Sequence, residues 1–359
     1  MLLILSPPAS LLIYIFADMN SSIDFSVATA DLLATELDEI LFESMSYGES
    51  IAVTFSVYWY VGLLDQWTNT YYADTRGSVT ISDLAKMWNG YILSTVKAAG
   101  DLLPGNKIGG LTVTISYVYG QTSGQCNRRI WYSRRHDGAT HALLKGKMPF
   151  LSKKKRIFAD SSEMVYAQGP DNVTMSVAAT YVRNNTQSVS TQTLTPTSNT
   201  FQRAADASPS VITGSLPNNS DLKEYTVTVG SDTCTYLIEQ RHYAQRTLFC
   251  WLNRYGVWET LWFLGSELRK VEISSDFGWL GEEWKPLDVD VSDTFQAFSG
   301  YQDEKVFDQV RDMVDSPAVF ILDKGVWKAV TIKDTDLSKK KPRNEAFSCS
   351  VTYRLSAKL

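Results

Sequence analysis

The sequence predicts an all-β fold of two or more β-sandwich-like domains with a few short helices, on three observations. Apolar and polar residues alternate with period two in four separate stretches, as in strands with one buried and one wetted face. The chain holds 10 Trp, 18 Tyr and 15 Phe, residue types that favour strands. Helical spacing is confined to a few short runs.

Taken in chain order, the apolar residues from Met1 to Ala17 have no Lys or Arg before them and are interrupted by Ser6-Pro7-Pro8. An export signal has a basic start and a continuous apolar centre, so the expectation is two strands, Leu2 to Leu5 and Leu11 to Phe16, joined by a Pro turn, with a retained anchor or signal as the alternative. Neither reaches the roughly 20 apolar residues of a membrane span. Asp31 to Phe42 fits either a helix face or strands. Ile51, Val53, Phe55, Val57 and Trp59 form the first alternating row. A short helix is expected from Leu84 to Trp88 after Ser82-Asp83, ending near Asn89-Gly90. The second row is Leu111, Val113, Ile115 and Tyr117.

A basic run, Lys145, Lys147 and Lys153 to Arg156, separates two strand-rich regions and reads as a solvated linker. At 359 residues the chain exceeds one small core. The expected division is an N-terminal β-sandwich at 1–145, the basic linker at 146–158, and a C-terminal β domain at 159–359. The segment from Arg183 to Ser220 is rich in Thr, Ser, Asn and Gln and is expected to be a long loop or an exposed polar arm, with room for a short strand inside it, suited to an inter-subunit contact. A third row is Tyr225, Val227 and Val229, and a closing row runs Phe347, Cys349, Val351, Tyr353, Leu355. Gln302 to Val314 reads as one amphipathic helix before Pro317. Lys339 to Lys341 and Arg343 read as a loop.

Two stretches share a design. Phe249 to Leu252 leads through Asn253-Arg254-Tyr255-Gly256 into Val257-Trp258, and Val319 to Leu322 leads through Asp323-Lys324-Gly325 into Val326-Trp327. Each is an apolar strand, a polar turn with Gly, then Val-Trp opening a second strand, the sequence of a β-hairpin.

The chemistry expected is slight. The formal net charge of −5 gives no general reason to bind nucleic acid or an anionic membrane. Cys126, Cys234, Cys250 and Cys349 form no C-x-x-C pair and read as buried, reduced thiols. His136 and His141 flank Asp137 but lack a third metal ligand at hairpin spacing, and His242 reads as structural. Asp288, Asp290 and Asp293 lack the Gly and Glu of a calcium loop. Glu282-Glu283 supplies carboxylates of the kind a glycosidase uses, though their separation from a partner acid is not fixed by sequence. No nucleophile elbow, phosphate loop, zinc helix or dinucleotide fingerprint occurs. No cofactor or metal is therefore expected. The candidate interaction surface is aromatic: Trp251, Tyr255, Trp258, Trp262, Trp279, Trp284 and Trp327, which could stack on sugar rings or partner proteins if exposed, or fill cores if not.

The Leu252 to Glu259 hairpin, the Asp323 to Trp327 hairpin with its Ile332-Lys333-Asp334 continuation, the closing alternating strand, and Asp74 to Leu84 in the first half together resemble tail-module structural proteins of phages and prophages of Bacteroides-type bacteria. The resemblance covers about half the chain and brings no catalytic residues. It implies a non-enzymatic virion component of a tail tip or baseplate, assembled in the bacterial cytoplasm as a homo-oligomer with other tail proteins. The rival expectations are a module that binds a bacterial surface glycan and, last, a glycan-degrading enzyme.

Overall fold

A computed structural model of the chain describes residues 20–59, 62–98, 102–134, 137–169, 173–198, 201–300, 302–303, 306–337 and 346–356. The expected strands before Ala17, His136 and the basic loop at Lys339 to Arg343 lie outside these. The described residues are mostly strand, as the alternating rows predict, and their architecture is all-β and β-sandwich-like. The described residues form two compact units, one from those within Met1–Ala30, Leu37–Leu84 and Thr112–Arg128, the other from those within Asp31–Glu36, Ala85–Leu111 and Arg129–Leu359. The boundary expected at 146–158 falls inside the second unit. Among the described residues, no helix is long and apolar enough to cross a membrane.

The first stretch holds β1 (Asn20–Ser21), β2 (Thr29–Leu33), a 3-10 turn (Ala34–Leu37), β3 (Ile40–Glu43), β4 (Ser50–Trp59), β5 (Gly62–Tyr72), β6 (Val79–Ile81), α1 (Leu84–Ala98), β7 (Gly110–Tyr119) and β8 (Thr122–Trp131). The ambiguous 31–42 segment thus resolves into strand ends around a tight turn. One sheet runs β1-β3-β6, another β2-β8-β7-β4-β5. The predicted rows are buried: Ile51, Val53, Phe55 and Val57 on β4, and Leu111, Val113 and Ile115 on β7. In the first unit Phe25, Phe42 and Tyr117 form an aromatic cluster, the Phe25 and Tyr117 rings meeting edge to face at 4.7 Å.

Helix α1 is far longer than the Leu84 to Trp88 piece expected. Asn89-Gly90 does not end it, because the Asn89 amide donates to the Ser133 carbonyl at 2.6 Å and accepts from the Ser133 N–H at 3.2 Å. With its side chain so engaged, Asn89 does not compete for its own backbone, and buried Trp88, Ile92 and Val96 hold the helix through the following turns.

The middle stretch holds α2 (His141–Leu144), β9 (Lys154–Ile157), β10 (Met164–Gln168), β11 (Met175–Arg183), β12 (Thr186–Thr193), β13 (Thr197–Ser198), β14 (Gln202–Asp206), α3 (Pro209–Gly214), β15 (Asp221–Val229) and β16 (Asp232–Ile238). Five strands form a sheet in the order β12-β11-β15-β16-β9, and three form β10-β14-β13. Two expectations are corrected here. The basic run is no free linker: Lys154 to Ile157 pair in parallel with Thr235 to Ile238, and Lys155 is buried. The polar segment 183–220 is neither a long loop nor an exposed arm throughout, although the short strand allowed for inside it is present. Its Thr/Ser row Thr186 to Thr193 is the edge strand β12, exposed on alternate residues, while Phe201, Ala204, Ala205, Ala207, Ile212 and Leu216 are buried.

The last stretch holds β17 (Thr247–Leu252), β18 (Trp258–Phe263), β19 (Glu267–Leu280), β20 (Glu283–Phe298), β21 (Gln302–Asp303), α4 (Val306–Val314), β22 (Val319–Asp323), β23 (Val326–Asp336), β24 (Ala346–Phe347) and β25 (Ser350–Leu355). Gln302-Asp303 is strand rather than helix, so α4 starts later than the sequence suggests. Seven strands make one sheet, in the order β18-β17-β22-β23-β25-β20-β19. Both Gly-Val-Trp stretches are hairpins, and they lie side by side because β17 pairs antiparallel with β22. Lys324 and Gly325 both take positive φ, at 51° and 80°, as a two-residue turn of the primed type requires. One face of this sheet, with Phe249, Trp251, Phe263, Val351 and Tyr353, packs on Val310 and Met313 of α4. The other face buries Leu248 and Trp262 against Phe158. A strand covered on both faces reads as a continuous apolar run, which is why Leu248 to Leu252 shows no alternation.

Candidate interaction surface

The aromatic residues singled out from sequence divide into two groups. Trp251, Tyr255, Trp258 and Trp262 are buried. The Trp251 indole N–H donates to Asp312 Oδ2 at 3.1 Å, and that of Trp262 to Ser161 Oγ at 2.9 Å. Trp258 meets Phe320 edge to face at 5.6 Å, and half-buried Trp327 packs against the cluster of Phe158, Leu248 and Trp262. Core filling is therefore the role of these five. Trp279 and Trp284 are exposed, at 68% and 57%.

The two exposed indoles end a long hairpin. Strand β20 pairs with β25 only through Phe295 to Phe298, so β19 from Lys270 and β20 up to Thr294 extend past the sheet as a two-stranded arm. At ~3.3 Å per residue the arm is about 35 Å long. Gly281 at φ +71° occupies the first position of its two-residue turn, the requirement of a type II′ connection. The turn closes on the Leu280–Glu283 pair, which makes Trp279–Trp284 the next, non-hydrogen-bonded rung, where side chains approach most closely. Their ring centroids are 5.5 Å apart at 70°.

Side chains of a strand alternate between faces, and directly paired residues share one. One face of the arm therefore carries Val271, Ile273, Ser275, Phe277 and Trp279, with Pro286 and Trp284 opposite the last two. Lys270, Asp276 and Asp288 occupy the other face. Val271, Ile273, Phe277, Trp279 and Trp284 are each more than half exposed. A register shift after Asp276 leaves Leu287 as the extra residue of β20, also exposed. A two-stranded ribbon has little stability of its own, and an exposed apolar row of this size makes the arm the candidate interaction surface. The alternation from Val271 to Trp279 was present in the sequence; only the two tryptophans were singled out there.

The remaining candidates fall elsewhere. Glu282 and Glu283 are exposed at the arm's turn, with Glu283 paired to Lys285. Asp288 is exposed on β20, Asp293 bonds Arg269 at 2.5 Å, and the side chain of Asp290 lies outside the described set. His141 is buried with its ring 4.0 Å from that of Trp131, and no cluster of metal-ligating residues occurs among the described residues. His242 lines a shallow surface cavity with Arg241 and Arg246. All four cysteines are buried and unpaired, as expected; burial pushes the Cys234 and Cys349 thiols up to about 11.

Two buried charge networks stiffen the body that carries the arm. Asp312, fully buried, accepts from Arg134, from the Arg254 side chain and backbone, and from Trp251. Arg254 continues to Asp137, whose Oδ2 also accepts from Tyr255 Oη at 2.5 Å. In the second network Lys155 lies 3.6 Å from Glu163 and over the Phe150 ring, while Glu259 accepts from Gln309 and Asn253. These are structural contacts: every charged group is answered by a neighbour within the fold, as burial demands.

The described residues are thus all-β, and in the second unit the seven-stranded sheet carries a two-stranded amphipathic arm. Comparison of its sequence with protein-family models and with curated proteins finds no match.

Proposed function

We propose that the chain is a structural protein that works by protein–protein assembly, as a tail-tip or baseplate component of a phage or prophage virion. The observation that carries the association reading is the arm: five large apolar side chains exposed in one row on a ribbon supported by the sheet only at its base. Burial of such a row contributes roughly 25 cal/mol per Å² of apolar surface, the main driving force for docking. The virion assignment rests on the resemblance of the hairpin and closing-strand motifs. No catalytic role is assigned to any residue.

The test is co-expression with the genes that flank it, followed by purification on a tag and negative-stain imaging. Particles or rings that contain the chain, and that lose it when Trp279→Asp and Ile273→Asp are combined, are the expected result. A chain that remains alone with every flanking product present contradicts the reading.

A second reading, recognition of a bacterial surface glycan, has one specific observation in its favour, the exposed Trp279–Trp284 pair at the arm's tip. Binding on a glycan array that is lost in both Trp279→Ala and Trp284→Ala would establish it. The edge-to-face geometry of the rings offers no single flat platform, which ranks this reading below assembly.

A further inference from the structure

We infer that the apolar face of the arm docks on the same face of the arm of a second copy of this chain, the two arms running antiparallel about a two-fold axis at Ser275. The inference rests on the arm being a docking element and adds the identity of its partner.

The row is self-complementary about its centre. A two-fold interface brings a residue of one copy against a different residue of the other, reciprocally. With the axis at Ser275, Val271 of each copy meets Trp279 of its mate and Ile273 meets Phe277. Each aliphatic side chain is thus matched with a ring, and two rings never compete for the same space. Ser275, the smallest residue of the row, meets its own image where the ribbons cross and where a large side chain would hold them apart. The register also opposes charges. Arg269 stands at the base of the same row and Glu282 in the turn at the tip, so antiparallel pairing places each guanidinium beside its mate's acidic turn and exposed indoles. Within one copy Arg269 donates to Asp293 at 2.5 Å.

The area is sufficient. Aromatic side chains bury ~150–250 Å² each when fully covered, and three partly exposed aromatics with two aliphatic residues offer roughly 600 Å² per copy. That approaches the ~800 Å² per partner of a standard specific interface.

The experiment is disulfide trapping in the full-length protein, with sedimentation velocity on the same samples. The native cysteines are buried, which keeps background crosslinking low. Ser275→Cys is expected to give a covalent dimer under mild oxidation, as is Val271→Cys combined with Trp279→Cys, whereas Lys270→Cys on the opposite face gives none. Unmodified protein is expected to sediment as a dimer, and Ile273→Asp as a monomer with an unchanged melting temperature. A wild-type monomer at every concentration, or no more crosslinking for Ser275→Cys than for Lys270→Cys, overturns the inference. If that happens while the arm substitutions still remove the chain from particles, the arm remains a docking element with a different partner.

Discussion

The indole rings of Trp279 and Trp284 meet edge to face across a non-hydrogen-bonded rung, 5.5 Å apart, with more than half of each side chain in solvent. Trp251, by contrast, has none of its surface exposed and donates its N–H to Asp312. The same residue type thus serves two ends, and substitution separates them. Trp279→Ala removes a cross-strand contact of about 0.5–1.5 kcal/mol confined to the arm. Trp251→Ala opens a cavity in the core and is expected to cost about 3–5 kcal/mol. Chemical denaturation of both variants checks this, with association lost only in Trp279→Ala among those that keep wild-type stability.

Asp312 is the only acid that answers both Arg134 and Arg254 among the contacts described. Asp312→Ala takes the buried carboxylate from Arg134, which keeps backbone carbonyls, and from Arg254, which keeps Asp137, and removes the acceptor of the Trp251 N–H. Removing one partner of a buried pair costs about 3–5 kcal/mol. Urea unfolding of the variant should show that loss; a change below 1 kcal/mol would mean water already serves the two arginines.

Lys155 is held protonated. Burial opposes its charge, but Glu163 and Glu259 more than offset that and raise its pKa, while burial pushes the Glu163 carboxyl up. Lys155→Met alone strands a buried carboxylate and should destabilise by about 3–5 kcal/mol. The double variant Lys155→Met with Glu163→Gln should regain a substantial part of it. A double-mutant cycle measures the coupling, and strict additivity would show that the pair does not interact.

Acid should weaken the Asp137 contact. Burial acts to raise the Asp137 pKa, but hydrogen bonds from Tyr255 and the Ala139 backbone, together with Arg254, prevail and hold it below 3.8. A carboxylate depressed in the folded state contributes stability above its unfolded pKa, and that contribution disappears as pH falls through the lower folded value. Stability of the wild type should therefore drop more steeply below about pH 4 than that of Asp137→Asn. Denaturation midpoints measured against pH decide it; parallel curves would contradict the assignment.

Much of the fold was legible because one physical signal, period-two alternation, is local. The rows at Ile51, Leu111 and Tyr225 became strands with Ile51, Val53, Phe55 and Val57, then Leu111, Val113 and Ile115, then Tyr225, Val227 and Val229 buried. The closing row holds only in part: Val351 and Tyr353 are buried on β25, but Cys349 precedes the strand and Leu355 is exposed. The signal fails where tertiary contacts override it. Asn89-Gly90 carries the composition of a helix stop, yet the Asn89 amide is bound by a backbone distant in sequence. Thr186 to Thr193 has no apolar row, but an edge strand needs only backbone pairing with β11. Lys155 reads as solvated until Glu163 is placed beside it. The aromatic surface was half legible: composition crowds tryptophans together, and only strand order shows that β18 lies in the body while the turn at Gly281 carries its pair beyond the sheet. Val271, Ile273 and Phe277 carry no signal of exposure, because an exposed apolar row has the same sequence pattern as a buried one.

Hydroxyl-radical footprinting of Trp279 and Trp284 tests the association reading most directly, comparing the chain in its assembled form with the isolated chain at high dilution. Strong protection of both indoles on assembly, with labelling of exposed Tyr47 and Tyr72 retained as internal reference, is the predicted result. Equal labelling of the two tryptophans in both states would contradict it.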